Sequence, residues 1–416
     1  MAITGPTSGY AAGEQTNLTH IEYAQELNFA TSPKTGFMRL RHAGETLAVQ
    51  DMTATPDEIN AIPEDAETIL TGRSVSGSIS GLLSYSTYDD FIAAVMGMEW
   101  ADGMEYVCSD PAHCPAMWMD NGVFHLETFE DNPKLLDWPV AGMMRLTNPQ
   151  NVSIDVPFIN RSLDPSDSRR DIVTYSNMAG RAIYAKLFAT SAVTDRVIIP
   201  EGFKFTPLGA SNHKVGKTFT FRKRVADRYQ IFTGNMVSQI QIHFQAQQTP
   251  TVQMDFIGAN LVLSSAPVTD SVLPATTTRI MEAARFRSFS IDGTSYDGMV
   301  QSVNLTLTRN GAAQDQALGK LGAAGIQFGA FKASLEAEVY FRDYAVIDLW
   351  QSGRKVQISF SIVDDAGKGY VFTLLNAQLF NFTAPIDQKN KTMVLRLPFT
   401  GNPYPGGGTL AVRRIG

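Results

Sequence analysis

Alternation of apolar and polar residues with a period of two dominates the chain. Across residues 301–308, Val303, Leu305 and Leu307 face one way while Ser302, Asn304, Thr306 and Thr308 face the other. That pattern predicts a half-buried antiparallel strand. Residues 331–341 repeat it, with Phe331, Ala333, Leu335, Ala337, Val339 and Phe341 opposite Lys332, Ser334, Glu336, Glu338 and Tyr340. A third strand carries Val356, Ile358, Phe360 and Ile362, meets a turn at 364–369 and restarts at Tyr370, which predicts a hairpin.

Helical periodicity is rare by comparison. In residues 87–98, Thr87 with Asp90 three positions later resembles a capping box, and Tyr88, Phe91, Ile92, Val95 and Met96 form one apolar stripe. Residues 343–352 predict a second helix with Tyr344, Ile347 and Trp350 inward and Gly353 as its stop.

Comparison of these two helices exposes an internal repeat. A shift of 256 residues places Val75 on Phe331, Ile79 on Leu335, Leu83 on Val339, Tyr85 on Phe341, Tyr88 on Tyr344, Phe91 on Ile347 and Gly97 on Gly353. After each helix the same order follows: residues 218–221, 227–232 and 239–244 match 358–362, 365–372 and 378–382. The closing strands place Val252 on Val394 and Asn260 on Asn402. A shared order of weak matches marks duplicated supersecondary units.

The fold class predicted is therefore mainly β, with two tandem β-sandwich or barrel units, each bearing one short α-helix, plus a β-rich insertion. The division expected is an N-terminal arm at 1–36, a first unit at 37–100 and 216–263, an inserted surface subdomain at 101–215, a linker at 264–284 and a second unit at 285–416. Within the insertion, 182–188 and 196–199 read as strands. Two long connections, 50–72 and 309–329, precede the repeated strands. Loops of such length are seldom retained without a use. Their scattered apolar residues (Met52, Ile59, Ile62 and Ile69; Leu318, Leu321, Ile326 and Phe328) suit segments that order against a neighbour.

Composition narrows the function. Of 416 residues, 44% are hydrophobic and only 18% charged, against about 25% in typical domains. This deficit points to surface covered by other chains, although β-rich proteins are also often charge-poor. The net charge of −7 is spread without a basic run, which disfavours specific nucleic-acid binding. No window approaches a membrane span, and residues 1–10 lack the pattern of a secretory signal. The only cysteines, Cys108 and Cys114, read as reduced loop thiols or a local disulfide; with His113 and Asp110 they fall short of a closed zinc site.

Catalytic patterns are missing. There is no phosphate loop, zinc-protease helix motif, nucleophile elbow or strand-linked dinucleotide fingerprint. The six histidines show no ligand spacing. Adjacent carboxylates at 89–90 and 364–365 fit a helix start and a hairpin turn, where acidic residues are favoured locally. No catalytic, cofactor or metal site is expected.

The order of elements resembles the tail tube (major tail) proteins of long-tailed, siphovirus-type bacteriophages. The likeness lies in residues 40–47 and 77–100 of the first half, and in 302–311, 318–322, 341–344 and 365–370 of the second, and it covers roughly 37–100 and 217–405. Residues 101–215 depart from it. The resemblance implies a structural virion protein whose sheets join neighbouring subunits into rings around a lumen, stacked into a conduit for DNA ejected into the host. It further implies self-assembly, with three two-unit chains favoured over six in a pseudo-sixfold ring. Implied partners are a tape-measure protein, tail terminator and distal tail proteins, and passing DNA without specific binding, with no membrane. Assembly in the host cytoplasm is implied too, as is contact between rings through Leu318, Leu321, Ile326, Phe328, Ile59 and Ile62.

A different class of function, a carbohydrate-binding or glycan-hydrolysing β-sandwich protein of a tail tip or spike, would use Trp100, Trp118, Trp138 or Trp350 as sugar platforms and a carboxylate pair as acid and base.

Overall fold

The computed structural model describes residues 19–57, 64–100, 215–225, 228–265, 271–291, 294–384, 389–403 and 408–415, with Thr16, Ile59, residues 146–150 and the strands between 106 and 211. Cys108, Cys114, His113, Trp138, Ile62 and residues 182–188 lie outside the described residues.

In chain order, β1 (His20–Gln25), β2 (Met38–Arg39), β3 (Gly44–Glu45), β4 (Ala48–Ala54) and β5 (Ile69–Leu82) lead into helix α1 (Asp89–Met96). Next come β6 (Tyr106–Val107), β7 (Ala116–Asp120), β8 (Val123–Phe129), β9 (Gly142–Thr147), β10 (Ser153–Asp164), β11 (Asp167–Tyr175), β12 (Val197–Ile198) and β13 (Lys204–Leu208). These eight form an antiparallel sheet of their own. β14 (Ala210–Ser211), β15 (Phe219–Val225), β16 (Arg228–Gln245), β17 (Thr251–Gly258) and β18 (Asn260–Ser264) complete the first half. The second half holds β19 (Phe286–Ile291), β20 (Thr294–Ser295), β21 (Val300–Asn310), β22 (Ala313–Asp315), β23 (Gly325–Gln327), β24 (Ala330–Tyr340), helix α2 (Ala345–Ser352), β25 (Val356–Val363), β26 (Gly369–Leu379), β27 (Val394–Gly401) and β28 (Leu410–Ile415). Apart from the β22–β23 hairpin, the strands outside β6–β13 belong to one hydrogen-bonded network. The protein is mainly β, as the alternation predicts.

The repeat is visible in three dimensions. Asp89 falls on Ala345 and Met96 on Ser352 under the shift of 256 residues, so both helices have the same bounds. Both end on a left-handed glycine, Gly97 at φ 65° and Gly353 at φ 60°, a conformation that a Cβ would strain. The closing strands differ from the sequence alignment by three positions. Val252, Met254 and Phe256 are buried in β17, and Leu395, Leu397 and Phe399 in β27. Met254 pairs with Ile79 and Phe399 with Leu335, so Val252 corresponds to Leu397 and not to Val394, an odd slip that turns every side chain to the other face.

Two long strands each serve two layers. Residues 228–235 of β16 pair with β15 and, in part, β18, whereas 236–245 pair with β17 and β21. β26 pairs first with β25 and β28 and then with β27. The sequence suggested two short strands in each place; the period of two is interrupted where the strand changes layers. Gly234, at φ 69°, forms the bend in β16, and a Cβ there would lie 2.6 Å from that of Ala259.

Between the layers lies the core. Tyr23, Phe91, Phe219, Phe221 and Phe256 form one aromatic cluster, with Phe91 and Phe219 centroids 5.0 Å apart. Phe244 of β16 joins Phe286, Phe289, Phe360 and Phe372 in another. Helix α1 is buried on nearly every side, including all five residues of its predicted stripe. Helix α2 is peripheral, and its inward residues are Val346 and Leu349; Tyr344 and Trp350 are exposed. The predicted stripe of α2 is thus rotated by one position, because these aromatic residues pack edge-on against Phe341 and Phe382 at the rim instead of beneath the helix. Thr87 is no cap either. Its hydroxyl bonds Ser84 and Thr276, each at 2.6 Å, so helix α1 starts after Tyr88 without a side-chain cap.

The described parts of the two connections, 50–57 with 64–72 and 309–329, are hairpin arms. β4 pairs with β5 from Ala48↔Ser76 to Ala54↔Ile69, and β22 pairs with β23. Backbone pairing satisfies their polar groups even where side-chain alternation is lost.

One buried carboxylate ties the N-terminal strand to the bend in β16. Glu26 accepts hydrogen bonds from Ala30 N (2.9 Å), Gly234 N (2.8 Å), Thr218 Oγ1 (2.8 Å) and Thr220 Oγ1 (2.7 Å). Replacement Glu26→Leu leaves these donors buried without an acceptor, and chemical denaturation should show a loss of about 1–3 kcal/mol.

Candidate functional site

The most extensive candidate surface is on a sheet with two unlike faces. Its order runs β5, β17, β16, β21, β24, β27, all antiparallel. One face is core: Ile79, Met254, Ile240, Leu305, Leu335 and Phe399 are each at most 1% exposed. Across the pleat stand Ser76, Ser78 and Ser80, Gln253 and Asp255, Gln239, Gln241 and His243, Asn304, Thr306 and Thr308, then Ser334, Glu336 and Glu338, and Arg396. Neutral amides and hydroxyls dominate, and none of these residues is buried.

Arg396, Glu338 and Asp255 on this face are held locally. Arg396 Nε pairs with Glu338 at 2.8 Å, and Ser302 donates to the same carboxylate at 3.0 Å. Asp255 accepts from Gln239 Nε2 at 3.3 Å and Gln253 Nε2 at 3.2 Å. His243 lies on this polar face, as the strand alternation predicts, with its Nε2 3.5 Å from Gln245.

The sheet crosses from one repeat to the other at β16 and β21. Seven residue pairs, from Gln239↔Thr308 to Gln245↔Ser302, make that seam. An edge strand presents unpaired backbone groups that seek a partner; here the partner is the other repeat. The arm on the second repeat then reaches back over the first. Gln314 Nε2 donates to Val75 O (3.0 Å) and Gly258 O (2.6 Å), Arg73 N donates to Leu321 O (2.6 Å), and Ala323 N donates to Ala259 O (3.1 Å).

The candidate contact residues divide accordingly. The Phe328 ring packs over Gly216, where a Cβ would lie 2.6 Å from it, and Ile326 is half-buried in β23, so both sit at the base of the arm. Leu318 and Ile59 are fully exposed at the arm tips, and Leu321 is 48% exposed although its carbonyl is engaged. The sequence placed all these residues in one class because it does not distinguish the base of an arm from its tip.

Sequence reasoning assigned Asp89 to helix-start electrostatics, but it also locks the two repeats together. Asp89 Oδ1 accepts the Tyr370 hydroxyl, which in turn accepts Ser86 N at 2.8 Å. Arg414 Nη1 reaches Asp89 Oδ2 at 3.1 Å, while its guanidinium lies over the Trp100 ring, 4.7 Å from the centroid. Trp100 Nε1 donates to Asp89 O at 3.0 Å. One face of Trp100 is therefore taken by Arg414, which removes it as an open sugar platform. The neighbouring Asp90 accepts the Tyr23 hydroxyl at 2.9 Å, so the two carboxylates serve separate tyrosines and do not act as a pair. Asp364, the other candidate, accepts Ala366 N and Lys368 N, each at 2.9 Å, within its turn.

Burial raises the Asp89 carboxyl above its ordinary value, with the Tyr370 hydroxyl and Arg414 opposing. Burial and the facing Asp89 also raise the Tyr370 hydroxyl well above its own. Among the described residues no cluster of His, Cys, Asp and Glu could hold a metal ion, and no helix is long and apolar enough to cross a membrane.

A family model described as phage tail tube protein matches residues 16–401. No curated protein matches the chain.

A carboxyl with a raised folded-state value favours the proton in the fold, so its ionisation works against stability as pH climbs past the ordinary carboxylate range. Asp89→Asn stays neutral while keeping an acceptor for Tyr370. Denaturation curves should show the stability difference moving in favour of Asp89→Asn between about pH 4 and about pH 7.

Proposed function

Because the chain belongs to the phage tail tube protein family, we propose that three copies form each ring of a tail tube, six repeats around a lumen, through which DNA is ejected into the host. Membership makes it a structural component of the virion tail that assembles with itself into a tube. The observation that carries the finer reading is the seam between β16 and β21. It makes two repeats into one continuous sheet with a polar face left uncovered, as a wall segment of a lumen requires.

On this reading the first tube unit comprises 37–100 with 216–263 and the second 285–416, joined by 264–284, with 101–215 directed outward. Amides, hydroxyls and locally paired charges offer DNA no basic row to grip, which favours sliding over binding. Asp255, Glu336 and Glu338 outnumber Lys332 and Arg396 on the wall, so the lumen is weakly repulsive to phosphate. A tape-measure protein would occupy the lumen before DNA does. Terminator and distal tail proteins would close the two ends of a siphovirus-type tail assembled in the host cytoplasm.

The exposed arm tips suit contacts between rings, with Ile59, Leu318 and Leu321 as the contributing side chains; Ile62 remains a proposed contact from the sequence alone. Negative-stain microscopy of the purified protein should show tubes with a regular ring spacing. A protein that stays monomeric under all conditions overturns the reading. Charging the tips in the double variant Ile59→Asp, Leu318→Asp should leave single rings and abolish long tubes in the same images.

A further inference from the structure

The seam inside the chain uses one edge from each repeat, and each of these two edges has a counterpart in the other repeat. In the first repeat the edge donated to the seam is the second half of β16; its counterpart in the second repeat is the end of β26. In the second repeat the donated edge is β21, whose counterpart in the first is the run through β3 and β4.

The correspondences follow from the ladders. Asn304 faces Glu336 as Gly44 faces Ser80, and Thr308 faces Lys332 as Ala48 faces Ser76. Ile240 faces Met254 as Leu379 faces Phe399. Both counterpart edges are open among the described residues. β3 and β4 pair with β5 alone, and beyond Ala377 β26 has only β27 beside it. The chain nevertheless continues along β27 past a bulge at Asn381 (φ 51°), with Thr383 and Arg396 exchanging both backbone hydrogen bonds at 3.1 and 2.8 Å.

We propose that the end of β26 of one chain pairs antiparallel with β3 and β4 of a second copy, in the register of the internal seam. Gln378 then stands opposite Ala48 as Gln239 stands opposite Thr308, Leu379 stands opposite Leu47, and past the bulge Thr383 stands opposite Gly44. The arm at 50–72 lies across the second repeat of that same neighbour, as the arm at 309–329 lies across the first repeat within the chain. The exposed apolar side chains Met52, Ile69 and Leu70 on this arm are covered by it. A head-to-tail contact of this kind generates a ring where the rotation between copies closes. The proposal rests on the ring reading and names the surface that makes the ring.

Cysteine pairs test the register. Under mild oxidation of assembled tubes, Ala48→Cys with Gln378→Cys should shift the protein on non-reducing gels from monomer to covalent multiples of the chain, beyond what either single variant shows. The pair Gln239→Cys with Thr308→Cys, at the equivalent place in the internal seam, should close within the monomer and calibrates the chemistry. Tubes in which the internal pair closes while the Ala48–Gln378 pair stays monomeric overturn the seam and leave the ring reading standing. Equal cross-linking by Ala48→Cys with Thr383→Cys, displaced along the strand, overturns the register. Absence of both tubes and intermolecular cross-links, with the internal pair closed, overturns both readings.

Discussion

Seven residue pairs between β16 and β21 turn two repeats into one sheet, and the rest of the architecture depends on that junction. A β-strand at an edge exposes a row of backbone donors and acceptors, so a repeat with two open edges is not a finished object. The duplicated chain covers one pair of edges internally. The low charge content accords with this: on the proposed ring reading, strand edges and arm tips are covered by neighbours, where ionic side chains would have to be desolvated.

The junction is reinforced where the two repeats pack. Phe244, the penultimate residue of β16, enters the aromatic cluster of the second repeat, so the pairing of backbones and the burial of rings stabilise one arrangement together. On the other side of the molecule, Asp89 at the start of α1 meets Tyr370 and Arg414 of the second repeat. A buried carboxylate needs its partners close, which makes the network a check on the relative placement of the repeats.

The two helices illustrate how duplication and divergence coexist. They share bounds and glycine stops, yet α1 is buried nearly all round and α2 only at Val346 and Leu349. Tyr88 is interior and its hydroxyl donates to Arg41 O at 3.0 Å, whereas the corresponding Tyr344 is exposed. The local fold is set by spacing and the glycine cap; the degree of burial is set by what packs above.

Much of this protein was determined by sequence alone. The period of two in β21, β24 and β25 specifies which side chains face the core, because strand geometry permits only two faces. The repeat, the helix stops and the stripe of α1 follow equally from local spacing. Tertiary structure decided the remainder. That β16 runs unbroken through a glycine bend, that residues 50–57 with 64–72 and 309–329 are hairpins, and that Phe328 is anchored while Leu318 is free all depend on partners far away in sequence. So does the role of Asp89, whose tyrosine and arginine lie at the other end of the chain. Pairing across the repeats is a property of backbone edges, which carry no side-chain pattern of their own, and only the assembled fold shows which edges are already used.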